Sequence, residues 1–280
     1  MPALILEGGT FRPIFSAGVM DALLEENLMF DYVIGVSAGI TNGISYLSRQ
    51  KGRNLAVLTH YRNDRRYIGV RNFFKCKSLF GLDFVYEQIP QKYEPFDWQT
   101  FHAYTGTALV GVTNARTGAC EYKNAMEMDR RCTMLRATCA IPFFFPTIEM
   151  DGVPYYDGGI CDPIPIRKAQ ADGQQRHLIV LTRPQGYRKG LSRANRAAAR
   201  ALQRKYPAIS AQLLTRHTHY NETVAYCEEL AQQAGTVLLR PAYPLKSFEK
   251  DVDVLSQSYR HGYETAMAHM DAIRALFDRQ

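Results

Sequence analysis

Five short apolar runs, at residues 3–6, 32–36, 107–113, 177–182 and 236–239, are separated by far more chain than a hairpin turn uses. Strands spaced this way are joined through crossovers that carry helices, so the pattern predicts an α/β sandwich with a largely parallel sheet. In 16–28 the apolar Val19, Leu23 and Leu24 stand opposite Asp21, Glu25 and Glu26, which predicts an amphipathic helix, and 39–49 predicts a second. Residues 71–104 are rich in aromatics and poor in period, and are expected as an irregular insertion. From 190 onward the chain reads as mostly helical, with the strand near 237 and a last helix from about Tyr259 to Arg279.

A chain of 280 residues is at the upper end of what one hydrophobic core fills. "MPALILEGG" leads from Met1 directly into the first strand, so no signal peptide is expected. No apolar run approaches the roughly 18–20 residues that span a bilayer, which predicts a soluble or peripheral protein. Six cysteines, Cys76, Cys120, Cys132, Cys139, Cys161 and Cys227, lie scattered without a C-x-x-C pair, and the expectation is reduced thiols in a cytoplasm. The formal net charge of +7 favours anionic partners.

The strand at 32–36 breaks into Gly35-Val36-Ser37-Ala38-Gly39, a G-x-S-x-G turn followed by helix period. Small flanking residues let such a turn hold a serine hydroxyl above the sheet, and the helix N-terminus favours negative charge beside it. The same five residues also fit a plain strand-to-helix turn. If Ser37 is a nucleophile, it needs a proton acceptor. None of the seven histidines sits in a turn-like, glycine-rich setting. Asp157 does: it ends the extended stretch "VPYYD" and precedes Gly158 and Gly159, although a simple D-G turn fits the same residues. A buried Asp157 with a raised pKa could take the serine proton itself. At the chain start, Gly8, Gly9 and Thr10 follow the first strand and form a cradle of backbone N–H groups suited to an oxyanion. Arg12 stands nearby, as a phosphate contact or as an internal salt-bridge partner.

In this order, a glycine-rich loop with arginine, G-x-S-x-G, "ATCAIPFFFP" at 137–146 and then D-G-G, the chain resembles the patatin-like phospholipase family from about residue 3 to 182. The resemblance implies a three-layer α/β/α catalytic core over 3–182, with the insertion at 71–104. The mostly helical region 183–280 would pack on that core or continue it. It implies a serine acyl hydrolase, of lipase or phospholipase type, acting on lipid esters through a Ser-Asp dyad and an acyl-enzyme. Neither calcium nor another cofactor is expected. Carried over, Ser37 is the nucleophile, Asp157 the base, and the amides around Gly9 and Thr10 the oxyanion hole. The family pattern is close to G-G-G-x-R-G, whereas this chain reads Gly8-Gly9-Thr10-Phe11-Arg12-Pro13. A threonine forced to positive φ would carry strain of order 1 kcal/mol. A non-catalytic lipid-binding or regulatory protein on the same scaffold is the alternative.

Arg193, Arg196, Arg200 and Arg204 recur every three or four residues, a basic stripe that could dock on an anionic membrane, such as the inner membrane surface, or form a solvated helix face. No nucleic-acid motif accompanies it. His217-x-His219 has the wrong spacing for one helix face, so no metal site is expected there.

Overall fold

The computed structural model describes residues 2–278, so Arg279, the expected end of the last helix, lies outside the described residues. The strands are β1 (Pro2–Leu6), β2 (Tyr32–Val36), β3 (Thr107–Asn114), β4 (Cys120–Asn124), β5 (Ile148–Met150), β6 (Val153–Asp157), β7 (Arg176–Val180) and β8 (Thr236–Leu239). They form one sheet in the order β5-β6-β3-β2-β1-β7-β8, with β4 also on β3. The five parallel strands are the five apolar runs of the sequence. The antiparallel β4, β5 and β6 carry a weaker pattern: β4 is half-exposed along most of its length and β5 has three residues.

The helices are α1 (Ile14–Glu25), α2 (Ser37–Leu47), α3 (Arg53–Tyr61), α4 (Val70–Cys76), α5 (Trp98–His102), α6 (Thr133–Thr138), α7 (Ile166–Ala171), α8 (Arg193–Leu202), α9 (Pro207–Leu230), α10 (Val252–Ala268) and α11 (Met270–Ala275). Strand alternation divides the core between two faces. Leu4, Leu6, Val33, Leu178 and Val180 pack with α1, α2 and α11, while Ala3, Ile5, Ile34 and Ile179 pack with Ile166 of α7 and with Tyr220 and Val224 of α9. The architecture is therefore a three-layer α/β/α sandwich, and the region after residue 183 contributes to all three layers.

Several expectations change. The first helix is not amphipathic in its surroundings, since Ile14 through Leu23 are all buried, Asp21 included. Helix α10 covers the face that the charge pattern assigned to solvent, and Asp21 accepts hydrogen bonds from Tyr259 Oη at 2.6 Å and from the Gly52 amide at 2.7 Å. The two helices approach at glycines: a Cβ on Gly18 would lie 2.0 Å from the Tyr259 carbonyl oxygen, and one on Gly262 1.9 Å from that of Phe15. Second, 71–104 is ordered, with α4, a π-helical segment Phe84–Tyr93 and α5. A π-helical pitch and two short helices hide any 3.6-residue period, while Phe80, Phe84, Tyr86, Ile89, Phe96, Trp98 and Phe101 are buried. The last helix likewise begins earlier than expected, capped by Asp251, and breaks at His269 before α11.

Third, Cys120 and Cys161 form a disulfide, leaving Cys76, Cys132, Cys139 and Cys227 free, so the expectation of six reduced thiols is corrected. The cause is tertiary. Strand β4 lays Cys120 opposite Thr113, and the Thr113 hydroxyl holds the carbonyl of Asp157, so the turn bearing Cys161 comes to a Cα separation of 5.6 Å.

The α1–α10 contact makes a sign-diagnostic prediction. Ala is about 1 kcal/mol better than Gly in a helix interior, yet Gly262→Ala should destabilise by about 1–3 kcal/mol through overpacking. Chemical denaturation is the check; a gain in stability would contradict the close approach.

Candidate active site

The register on β3 builds the site. Strand β2 pairs with β3 as far as Val36 opposite Gly111. Because β4 occupies the other edge, β6 must take over the edge that β2 has left, and it does so with Asp157 opposite Val112. Ser37 and Asp157 thus leave the sheet from adjacent positions of one edge, one at the end of a parallel strand and the other at the end of an antiparallel one. Ser37 Oγ donates to Asp157 Oδ2 at 2.8 Å, and both residues are buried.

Neighbouring groups hold each partner. Ser37 opens α2 with φ +53°, the strained turn that lifts its hydroxyl out of the strand line, and its amide donates to Thr138 Oγ1 at 2.8 Å. Thr138 in turn donates to the Gly111 carbonyl at 2.5 Å. Asp157 Oδ1 accepts from the Gly159 amide at 2.7 Å, and the Asp157 amide donates to Ala140 at 3.0 Å. Gly158 is the close-packing point, since a Cβ there would lie 2.1 Å from the Gly111 carbonyl oxygen.

Burial raises the Asp157 carboxyl above the ordinary carboxylate range; the nearby Arg216 guanidinium, the Ser37 and Gly159 hydrogen bonds and Lys189 oppose that rise. The Cys139 thiol, whose sulfur is 4.0 Å from Ser37 Oγ, is pushed up by burial to about 11, so it stays protonated and inert at neutral pH.

Two cavities meet at Ser37. One, of about 230 Å³, is lined by the Gly8-Gly9-Thr10 loop, Arg12, Asp157, Phe144, Phe248 and the cations Arg183, Lys189 and Arg216. The other, of about 80 Å³, is apolar, with Phe11, Leu58, Tyr67, Phe80, Tyr86 and Phe145. Among the described residues no histidine lines either cavity. The amides of Gly8, Gly9 and Thr10 donate to no protein group among the described residues. Thr10 sits at φ +57° beside Gly9 at φ +152°, so the left-handed conformation expected to strain a threonine is adopted. Arg12 is buried and acts as a brace: Nε donates to Thr182 Oγ1 at 3.2 Å, Nη1 to Ser247 Oγ, and Nη2 to the Gly8 carbonyl at 3.4 Å. Gly35 and Gly39 flank the serine, on β2 and α2.

The sequence reading did not single out Thr113, Thr138, Arg183, Lys189, Arg216 or Phe248. Thr138 lies within the quoted stretch 137–146 and was within reach; Lys189, Arg216 and Phe248 arrive from segments with no motif. Phe144 and Phe145 line the cavities as pocket walls, while Phe143 is 52% exposed.

A buried Ser-Asp pair at the carboxyl edge of an α/β/α sheet, beside loop amides without a protein partner among the described residues, defines a class of serine-centred α/β sites. The family model for patatin-like phospholipases matches residues 4–169, more than half of the chain, and the protein belongs to that family. Residues 206–278 match a domain of unknown function (DUF6363). Over 186 residues the chain is 27% identical to the uncharacterized protein YjjU of Escherichia coli (strain K12), a match covering 65% of this chain and 52% of that protein. The chain therefore spans about half the length of the curated relative it matches. The crystal structure of VipD from Legionella pneumophila is similar at 14% identity and TM-score 0.46, over 97% of this chain and 66% of that one.

The strain at Thr10 is testable. A left-handed β-branched residue costs about 1–2 kcal/mol, and glycine costs about 0.5–1 kcal/mol in unfolded-state entropy. Thr10→Gly should therefore raise Tm by up to a few degrees; a fall in Tm would place the threonine's side-chain contacts above its strain.

Proposed function

We propose that the protein is a serine acyl hydrolase that cleaves carboxylic esters of lipids. The observation that carries this reading is the 2.8 Å hydrogen bond from Ser37 to a buried carboxylate, next to three loop amides with no protein partner among the described residues. In this mechanism Ser37 Oγ attacks the acyl carbonyl as Asp157 takes its proton, forming a tetrahedral intermediate whose oxyanion is met by amides of Gly8, Gly9 and Thr10. The Ser37 amide is already committed to Thr138 and is not counted among these donors. Asp157, now protonated, gives its proton to the leaving alkoxide. Water activated by the same carboxylate then attacks the acyl-serine and releases the acid, with the proton returned to Ser37. A carboxylate can serve as this base because burial brings its proton affinity closer to what the transfer needs.

The reading also includes peripheral contact with an anionic lipid surface through Arg193, Arg196 and Arg200 of the exposed face of α8 and Arg204 just beyond it. A second surface supports such contact: α4 leaves Phe74 86% and Val70 70% exposed among Arg71, Lys75 and Lys77, and Leu79 just after it donates to the Phe144 carbonyl at the cavity wall. No helix among the described residues is long and apolar enough to cross a membrane.

Hydrolysis of short and medium p-nitrophenyl esters tests the chemistry. Ser37→Ala and Asp157→Asn, each still folded by thermal melt, should lose about 10³-fold or more in kcat/KM. Wild type should also be labelled at Ser37 by a fluorophosphonate. Folded wild type that neither turns over nor labels would favour a lipid-binding protein on this scaffold. The pH profile has a defined sign: the base must be ionised, so kcat/KM falls as pH drops through the Asp157 pKa. That limb lies above the usual carboxylate value of about 3.9. Arg216→Met removes the largest opposing charge and should move the limb to higher pH; a limb that stays in place would show that Arg216 does not act on the carboxyl.

Vesicle pelleting separates the two surfaces. Arg196→Glu/Arg200→Glu should weaken binding to anionic but not neutral vesicles, and Val70→Ser/Phe74→Ser should weaken both. If neither variant changes pelleting, both contacts are wrong.

A further inference from the structure

The cavity that holds the glycine loop is basic beyond anything that acyl transfer requires. Arg12, Arg183, Lys189 and Arg216 line it against two carboxylates, Glu7 and Asp157. Glu7 is already committed: its oxygens accept from the Thr182 amide at 2.6 Å and from Tyr220 Oη at 3.1 Å, with Arg12 Nη2 at 3.9 Å. The donors of Arg12 are engaged in bracing the loop. The other three cations have no carboxylate within 4.0 Å among the described residues. The Arg183 Nε is buried without a hydrogen-bond partner, and its guanidinium lies 4.4 Å from the Tyr187 ring centroid. The Lys189 ammonium is 3.8 Å from the Tyr220 ring centroid, with burial and the neighbouring arginines pushing its pKa far down. Arg216 Nε is anchored on the Gly159 carbonyl, the residue whose amide holds Asp157.

Three half-buried cations with no carboxylate in salt-bridge contact among the described residues, in a cavity where four basic groups face only Glu7 and Asp157, leave an excess of positive charge that favours an anion in it. Guanidinium forks match tetrahedral oxyanions, and a phosphate monoester supplies about −1.5 to −2 charge and three acceptor oxygens at neutral pH. A zwitterionic choline head would bring a further cation into the same space. On the other side of Ser37 lies the apolar cavity, of a chemistry that takes a hydrocarbon chain. The serine stands between the two.

We infer that Arg183, Lys189 and Arg216 form a phosphomonoester subsite, and that the substrate is an acyl ester whose alcohol portion carries a terminal phosphate close to the scissile carbonyl. This substrate class rests on the acyl-hydrolase reading above; the anion site itself does not. All three residues lie outside 4–169, the part that matches the patatin-like model, and Arg216 lies within the 206–278 domain of unknown function. The C-terminal region thus supplies specificity to a serine carried by the core.

Two measurements test it. In thermal melts at matched ionic strength, replacing chloride by inorganic phosphate should raise Tm for wild type and leave Lys189→Met and Arg183→Met unmoved. Lys189→Met should itself melt no lower than wild type in chloride, because it removes an amine whose charged form is disfavoured by burial and by Arg216; a large fall would mark a structural role. In kinetics, wild type should favour a 1-acyl-glycerol 3-phosphate over its phosphocholine and unphosphorylated counterparts by about tenfold or more in kcat/KM, the worth of one charge-assisted hydrogen bond. Either variant should collapse that ratio. Preference without a Tm shift still supports the subsite and assigns it to the lipid-borne phosphate. A Tm shift without turnover of any ester keeps the anion site and removes the hydrolase reading. Absence of both the shift and the preference overturns the subsite.

Discussion

Strand β3 runs three residues past the point where β2 leaves it, and the site depends on that overhang. Val36 is opposite Gly111, Asp157 is opposite Val112, and the edge passes from one strand to the other with no gap. A slip of one residue in β6 would send Asp157 to the wrong face of the sheet, because strand side chains alternate. The Gly111 carbonyl is also where Thr138 donates and where Gly158 packs, so a single residue of β3 registers the serine turn, the aspartate turn and α6 against each other.

The pair so placed is buried, and burial has opposite consequences for its two members. It raises the proton affinity of Asp157, which suits a base, and it increases the cost of leaving that carboxylate ionised. The cost is offset by three contacts: the Ser37 hydroxyl, the Gly159 amide and the nearby charge of Arg216. The carboxylate reaches the hydroxyl directly, with no intervening side chain. Ser37 and Thr10, which both line the cavity, are also both in the left-handed backbone region.

The C-terminal region is part of this arrangement. Helix α9 brings Arg216 to the cavity and Tyr220 onto Glu7 of its wall, the loop after β8 brings Ser247 onto Arg12 and Phe248 onto Phe144, and α10 buries α1, whose N-terminus follows the glycine loop. The loop amides are therefore held from both halves of the chain: Phe11 donates to the Ser247 carbonyl, and Arg12 bridges Gly8 to Thr182 and Ser247.

The sequence by itself determined the five parallel strands, the turn that presents Ser37 and the D-G-G turn that begins at Asp157, because each is written in local apolar runs and glycine placement. Helix α1, buried from Ile14 to Leu23, looked amphipathic there, because Asp21 finds its partner 238 residues away in Tyr259. Residues 71–104 looked irregular, because a π-helical segment has no 3.6-residue period. The Cys120–Cys161 bond was illegible, since cysteines 41 residues apart meet only when β4 and β6 share β3. The cationic wall was equally hidden: Arg183, Lys189 and Arg216 come from a strand end, a loop and a helix, with no spacing that announces them. Local pattern specifies elements and turns; which side chains converge on a cavity is decided by sheet register and by the packing of distant helices, and neither is encoded within any one stretch of chain.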